Sequence, residues 1–300
     1  MIENNGLFSI GVVERDTGIG RDTLRIWERR YGFPEPVRNE KGERIYPERQ
    51  LRRLQRIRRL LDQGMRPGKL LPLSEAALDE LEASLQPEQP EQLDKAVSAI
   101  LAAISSANAG QVEILFRMQY EKQGMKSFIL DTVVPLLNAV GELWIGGKLQ
   151  VFQEHFLSQQ LIRFLNTEIA RIQRSAERPL VLLATLPGEE HTLGLLMVAG
   201  ILSSQGISAI NLGGEVPMHQ IVRAVRQFHA DTVGITFSGA YQYKNIRAHL
   251  LELRELIPDD VNIWTGGEGV RRLRKLPIGV TKFNSLENFS LPHKRLVNPD

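Results

Sequence analysis

The chain has no cysteine among its 300 residues, and that one absence removes several chemistries together. Thiolate zinc sites, iron–sulfur clusters and cysteine nucleophiles all need a sulfur that is not there. Also lacking is any apolar run long enough to cross a bilayer. The opening Met1-Ile2-Glu3-Asn4-Asn5 has neither the basic nor the apolar region of a secretory signal. Together these absences predict a protein of the reducing cytoplasm with no membrane partner. The rest of the composition is ordinary for globular protein, with 42% hydrophobic and 24% charged residues, and the length suits about two or three domains.

The net charge of +2 conceals an uneven distribution. Residues 1–75 carry 16 Lys and Arg against 11 Asp and Glu, whereas the remainder carries 21 against 24. Fourteen of those 16 cations are arginine, whose fork suits phosphates and guanine edges. The surrounding pattern gives that charge a scaffold. Ser9 stands as a cap before a short amphipathic helix, Thr17-Gly18-Ile19-Gly20 makes a turn, and a second helix covers about Arg21 to Arg30. Tyr31-Gly32-Phe33-Pro34 breaks it, Val37 to Tyr46 forms a hairpin with Lys41-Gly42 at its tip, and Pro47 opens a long helix ending at Gly64. That order is a helix-turn-helix followed by a wing.

Ile10-Gly11, Thr17-Gly18, the run Thr23 to Gly32, and Arg38 through Arg44-Ile45-Tyr46 together resemble the winged-helix DNA-binding domain of MerR-type regulators. The resemblance implies double-stranded operator DNA as partner. It implicates Arg21, Thr23, Arg25, Arg29 and Tyr31 on the recognition helix, and Arg38 and Arg44 on the wing. Leu24 and Trp27 are assigned to the core.

The second half of the chain is organised around Pro187-Gly188-Glu189-Glu190-His191-Thr192-Leu193-Gly194. The apolar run Leu180 to Leu186 before it has the length of a buried parallel strand, and Thr192 is placed to cap the helix after it. His191 thus falls at a strand's carboxyl end, where open α/β sheets bind ligands. Strands at Ile207–Leu212, Asp231–Ser238 and Val261–Trp264 alternate with helices at Met218–Phe228 and about Asn245–Leu256. Glu189, His191 and Gly194 in acid-x-His-x-x-Gly spacing, with Thr236-Phe237-Ser238 and Gly266-Gly267 downstream, resemble the cobalamin-binding domain. In that family the histidine binds cobalt in place of the cofactor's own base and the acid orients it. A Ser-x-Leu segment there lines the slot for the displaced base, and the glycine pair lets backbone approach the nucleotide tail. The match implicates Thr236 and Ser238 for the slot and Gly266 and Gly267 for the tail, although no leucine is present.

Between these halves, Leu85 to Gln92 is polar and twice broken by proline, a tether. Four apolar-faced helices then fill Leu93 to about Gln173, which predicts a bundle. Trp144 stands ten residues before the pair Glu154-His155, a spacing that looks like the signature of the CarH-type photoreceptors. That resemblance implies adenosylcobalamin, with Trp144, Glu154 and His155 around the adenosyl group, and an assembly of two or four subunits. Better-known members carry a histidine directly after the tryptophan, which captures cobalt after illumination; this chain has Ile145.

The expected fold is therefore multidomain. It comprises a mainly α winged helix-turn-helix over 1–80, a linker over 81–92, a four-helix bundle over 93–176 and a Rossmann-like α/β cobalamin domain over 177–300. The expected function is a DNA-binding repressor that senses adenosylcobalamin and light and is not an enzyme. Two alternatives stand beside it: a regulator whose cobalamin fold has lost its cofactor, and a cobalamin-carrying enzyme subunit.

Overall fold

A computed structural model describes residues 6–39, 41–62, 64–84, 94–145, 148–172, 179–239, 241, 243–271, 273 and 275–289, with side chains excepted at 62, 144–145, 243–244 and 288–289. The expected tether, Leu85 to Gln92, lies outside the described residues. The chain divides into two compact units, residues 1–92 with 139–154, and residues 93–138 with 155–300.

The first unit opens with β1 (Leu7–Ser9), α1 (Ile10–Thr17) and α2 (Arg21–Tyr31). Ser9 Oγ accepts from Val12 N at 3.4 Å, so the cap stands where the sequence puts it. Gly18 closes α1 and Gly32 closes α2, both at positive φ, the conformation that favours glycine. The wing is β2 (Val37–Arg38) and β3 (Arg44–Pro47), and α3 (Glu48–Asp62), α4 (Pro67–Leu70) and α5 (Glu75–Ser84) follow.

A short strand precedes the first helix: Phe8 pairs with Tyr46 in an antiparallel sheet of order β1-β3-β2. One expectation changes here. Pro47 does not open α3; it is the last residue of β3, the central strand of the three, opposite Leu7. Val13, Leu24, Trp27, Tyr46, Leu54 and Ile57 form the core, as expected for Leu24 and Trp27. Arg56 of α3 meets Glu75, Asp79 and Glu82 of α5 at 2.5–3.0 Å and fastens that last helix.

The second unit contains α6 (Lys95–Ser105), α7 (Ala109–Ser127), a π-helical stretch at Phe128–Val133, the first residues of α8 (Val134–Ile145) and most of α9 (Val151–Ile172). The chain kinks at Gly124, φ 74°, within α7. Phe116, Tyr120, Phe128 and Phe164 interlock with centroids 5.4–6.2 Å apart. This helical segment is packed onto the α/β fold: a Cβ on Gly200 would lie 2.8 Å from Ile129 Cδ1, so glycine permits the contact.

The α/β fold runs β4 (Leu180–Ala184), α10 (Leu193–Ser204), β5 (Ser208–Asn211), α11 (Met218–Phe228), β6 (Thr232–Thr236), α12 (Tyr243–Leu256), β7 (Asn262–Gly266), α13 (Glu268–Arg271) and β8 (Val280–Lys282). Its five strands are all parallel in the order β5-β4-β6-β7-β8. The sequence pattern shows four of them; β8 is only three residues long and only partly buried, too little to stand out. The chain reverses direction between β4 and β6, and in such sheets the switch point opens a crevice at the carboxyl ends. Among the described residues, no helix is long and apolar enough to cross a membrane.

Candidate cofactor site and nucleic-acid interface

The loops after β4 and β6 meet at that switch point through one carboxylate. Glu189 is 1% exposed, and both its oxygens are engaged. Oε1 accepts from His191 Nδ1 at 2.7 Å and from His191 N at 2.9 Å, while Oε2 accepts from Ser238 N at 2.6 Å. Burial pushes this carboxyl up, but the hydrogen bonds from His191 and Ser238 outweigh it and hold it below its ordinary range. Because a carboxylate only accepts, the hydrogen of His191 sits on Nδ1 and the ring's lone pair on Nε2. The imidazole is 57% exposed.

One imidazole does not make a protein-only metal site, and no cluster of three or more His, Asp or Glu that could hold an ion occurs among the described residues. The arrangement suits a metal that brings most of its own ligands. A Cβ on Gly194 would meet no protein atom within 4 Å, so internal packing does not demand that glycine. Thr236 Oγ1 is buried without a hydrogen-bond partner, a polar group suited to a polar occupant at the end of β6, and the Ser238 hydroxyl helps to hold the Glu189 carboxyl low. Gly267 differs: at φ 94°, a Cβ there would lie 2.3 Å from the Phe237 carbonyl oxygen, so the fold itself requires glycine. Beside it, Gly266 pairs with Thr236 across the two strands.

Thr192 does not cap α10. Its side chain makes no capping hydrogen bond, and its backbone is already helical; only its carbonyl accepts, from Leu195 N at 3.0 Å. The loop is held instead by residues that sequence reasoning missed. Thr185 Oγ1 donates to the Glu189 carbonyl at 2.5 Å and accepts from Glu215 N at 2.9 Å, while Glu215 Oε1 accepts from Gly188 N at 3.2 Å. Tyr241 donates to the Pro187 carbonyl at 3.5 Å and shares a 2.8 Å hydrogen bond with His249 Nδ1. The one local signal was Thr185 itself, a hydroxyl inside an otherwise apolar run.

Of the residues expected around the adenosyl group, Trp144 is the last residue but one of α8 and its side chain, like that of Ile145, lies outside the described residues. Glu154 is half-buried in the first turn of α9, where Gln153 Oε1 accepts from Gln150 N at 2.8 Å; His155 is exposed. Trp144 and Glu154 belong to the first unit, His155 to the second.

On the nucleic-acid side, Arg21, Thr23, Arg25 and Arg29 are exposed along α2. Glu14 accepts from Arg21 N at 3.1 Å and Nε at 2.6 Å, fastening α1 to the start of α2, and Arg25 pairs with Asp22 at 3.1 Å. Arg38 donates to the Gly42 carbonyl at 2.7 Å and closes the wing tip. Arg44 is engaged by Glu28 of α2 at 2.9 and 3.4 Å, which ties wing to recognition helix. Tyr31 is partly buried against the core, its hydroxyl 3.3 Å from where a Cβ on Gly68 would stand.

A winged helix with an arginine-lined recognition face, joined in one chain to a flavodoxin-like sheet with an acid–histidine loop at its switch point, defines a MerR-type regulator with cobalamin-binding domains. Family models agree: MerR HTH family regulatory protein matches residues 8–70, and two B12 binding domain models match residues 92–167 and 179–279. The chain is 30% identical over 270 residues to the HTH-type transcriptional repressor CarH of Myxococcus xanthus, covering 88% of this chain and 90% of that protein. It is 27% identical over 264 residues to the HTH-type transcriptional repressor CarA of the same organism, covering 87% of each. Among solved structures, the monomethylamine corrinoid protein of Methanosarcina barkeri superposes with a TM-score of 0.50 at 16% identity, covering 66% of this chain and 94% of its own; that likeness speaks for the fold alone. The chain belongs to the CarH family of HTH-type transcriptional repressors.

Proposed function

We propose that the protein is a cytoplasmic repressor whose hold on operator DNA depends on adenosylcobalamin and is released by light, and that it is not an enzyme. The observation that carries the cobalamin half is the buried Glu189 holding His191 in the tautomer with its lone pair on Nε2, at the switch point of the sheet. His191 would hold the cobalt, with room left beside it at Gly194. Thr236, Ser238 and the Gly266-Gly267 turn would line the slot for the nucleotide tail, the orphaned Thr236 hydroxyl gaining a partner there. Trp144 would supply an apolar wall to the adenosyl group, and Glu154 and His155 would accept from or donate to its ribose. When bound, adenosylcobalamin supplies a cobalt–carbon bond that light breaks.

Ordering of the residues around that group favours self-association into dimers or tetramers, so that several winged helices engage one operator. Holding several heads together raises effective concentration, and avidity can gain roughly 10²–10⁴-fold without a new contact. Absorption spectra of the purified protein with adenosylcobalamin, and gel shifts in darkness and after illumination, test the reading. Retained cofactor with dark-only DNA binding is expected. Protein that retains no cobalamin yet still binds DNA would favour the cofactor-free regulator.

A further inference from the structure

The exposed residues of α2 include Arg21, Asp22, Thr23, Arg25, Arg29 and Arg30, and among them a single apolar side chain, Ile26, 48% exposed. One exposed apolar residue is common on any surface, so exposure alone decides nothing. Its setting is what matters. Ile26 lies on the stripe shared with Asp22, four residues before, and with Arg29 and Arg30, three and four residues after. Two of these neighbours are engaged elsewhere: Asp22 pairs with Arg25 at 3.1 Å, and the Arg30 guanidinium sits over the Tyr31 ring at 5.3 Å. A β-branched residue is also a weaker helix former than the arginines around it, so helix stability does not account for it. Leu24 and Trp27 anchor the opposite face in the core, which presents Ile26 outward on a fixed backbone.

The floor of the major groove offers one apolar group, the 5-methyl of thymine. We propose that Ile26 reads thymine: carried into the groove by α2, it packs against the 5-methyl group at one position of each bound site and discriminates T·A from C·G there. The inference rests on the DNA-binding reading above and adds a base preference to it. The arginines around Ile26 match the charge of the duplex but carry no apolar recognition.

The full-length protein, loaded with adenosylcobalamin in the dark, selects duplexes from a randomised pool. The enriched duplex is then rebuilt with deoxyuridine at each thymine in turn, which removes the methyl group and nothing else. At one thymine the wild type should lose about fourfold in affinity per site, the worth of one buried methyl group. Ile26→Ala, weaker than wild type on thymine, should bind both duplexes equally, and Ile26→Val and Arg25→Ala should keep the sensitivity. Deoxyuridine tolerated at every thymine by the wild type, or costing wild type and Ile26→Ala the same, overturns the proposal and leaves DNA binding standing. Failure of the wild type to enrich any duplex overturns the DNA reading itself. A thermal melt of Ile26→Ala matching wild type shows that the effect is not unfolding.

Discussion

Replacing Glu189 by glutamine tests the lower-ligand assignment with the smallest change of shape. Glu189 accepts three hydrogen bonds, two from His191 and one from Ser238 N. Glutamine has one accepting oxygen and one donating NH2. With its oxygen toward His191, the amide faces the Ser238 N–H, donor against donor. With its oxygen toward Ser238, the amide faces the His191 backbone N–H, and the ring is drawn into the other tautomer, with hydrogen on Nε2 where a metal would bind. Both arrangements leave a buried N–H unmatched, and the second also removes the ligating lone pair. A hydrogen bond to a charged group is worth about 1.5–3 kcal/mol, roughly 10–150-fold in an equilibrium constant. Glu189→Gln should therefore weaken adenosylcobalamin binding about 10–100-fold, and His191→Ala should weaken it more and abolish the imidazole-bound spectrum. Titration followed by absorbance measures both. Wild-type affinity and spectrum in Glu189→Gln would refute the reasoning, and loss of the imidazole spectrum in His155→Ala but not in His191→Ala would make His155 the cobalt ligand instead.

Four further outcomes are expected. Arg25→Ala should weaken operator binding by about 1–3 kcal/mol if it reads a base edge, measured by gel shift at fixed salt. Arg44→Ala should weaken it as well, because it releases the wing from Glu28; Glu28→Gln should then reproduce part of the loss without touching a DNA-facing cation. The Glu14 carboxyl is held below its ordinary value of 4.5, first by the Arg21 backbone N–H and then by its guanidinium, so its contribution is present above that value and fades as pH falls through the lower folded value. Glu14→Gln should flatten the acid limb of a melting-temperature series, and an unchanged limb would remove Glu14 from the account. Size-exclusion chromatography should show a dark oligomer that dissociates in light, with cobalamin lost more easily than from an Ile145→His variant; an oligomer indifferent to light would count against the photoreceptor reading.

Much of the fold was legible because its signals are local. Ser9 sits one residue before α1, and the glycines after α1 and α2 occupy conformations that side chains avoid. The acid–histidine pair is two residues apart, and spacing alone brings its partners together. What was not legible depends on distant chain. Phe8 belongs to a strand only because Tyr46 lies opposite. Thr185 is a loop anchor only because Glu215 folds against it from 30 residues away, and the Glu28–Arg44 pair spans 16. Thr192 shows the converse error: the right residue type at the right place, with the capping geometry absent because its own backbone is already helical.

The departure from Ser-x-Leu bears on whether the sheet still takes a nucleotide tail. Phe237, the middle residue, is buried in the core of the opposite face and takes no part in the slot. Ser238 stands where the family's leucine would, and both its polar groups serve Glu189, the N–H by a 2.6 Å hydrogen bond and the hydroxyl by helping to hold the carboxyl low, whereas Thr236 Oγ1 is buried and unmatched. A buried hydroxyl without a partner costs about 1–3 kcal/mol. A sheet released from binding would have no use for that cost at the strand end, and an alanine at Thr236 would relieve it. The Thr236 hydroxyl, two residues before the Ser238 N–H that holds Glu189, supports a slot that still receives a polar group. Thr236→Ala should accordingly raise stability slightly without cofactor while lowering adenosylcobalamin affinity, opposite signs that a packing role alone would not produce.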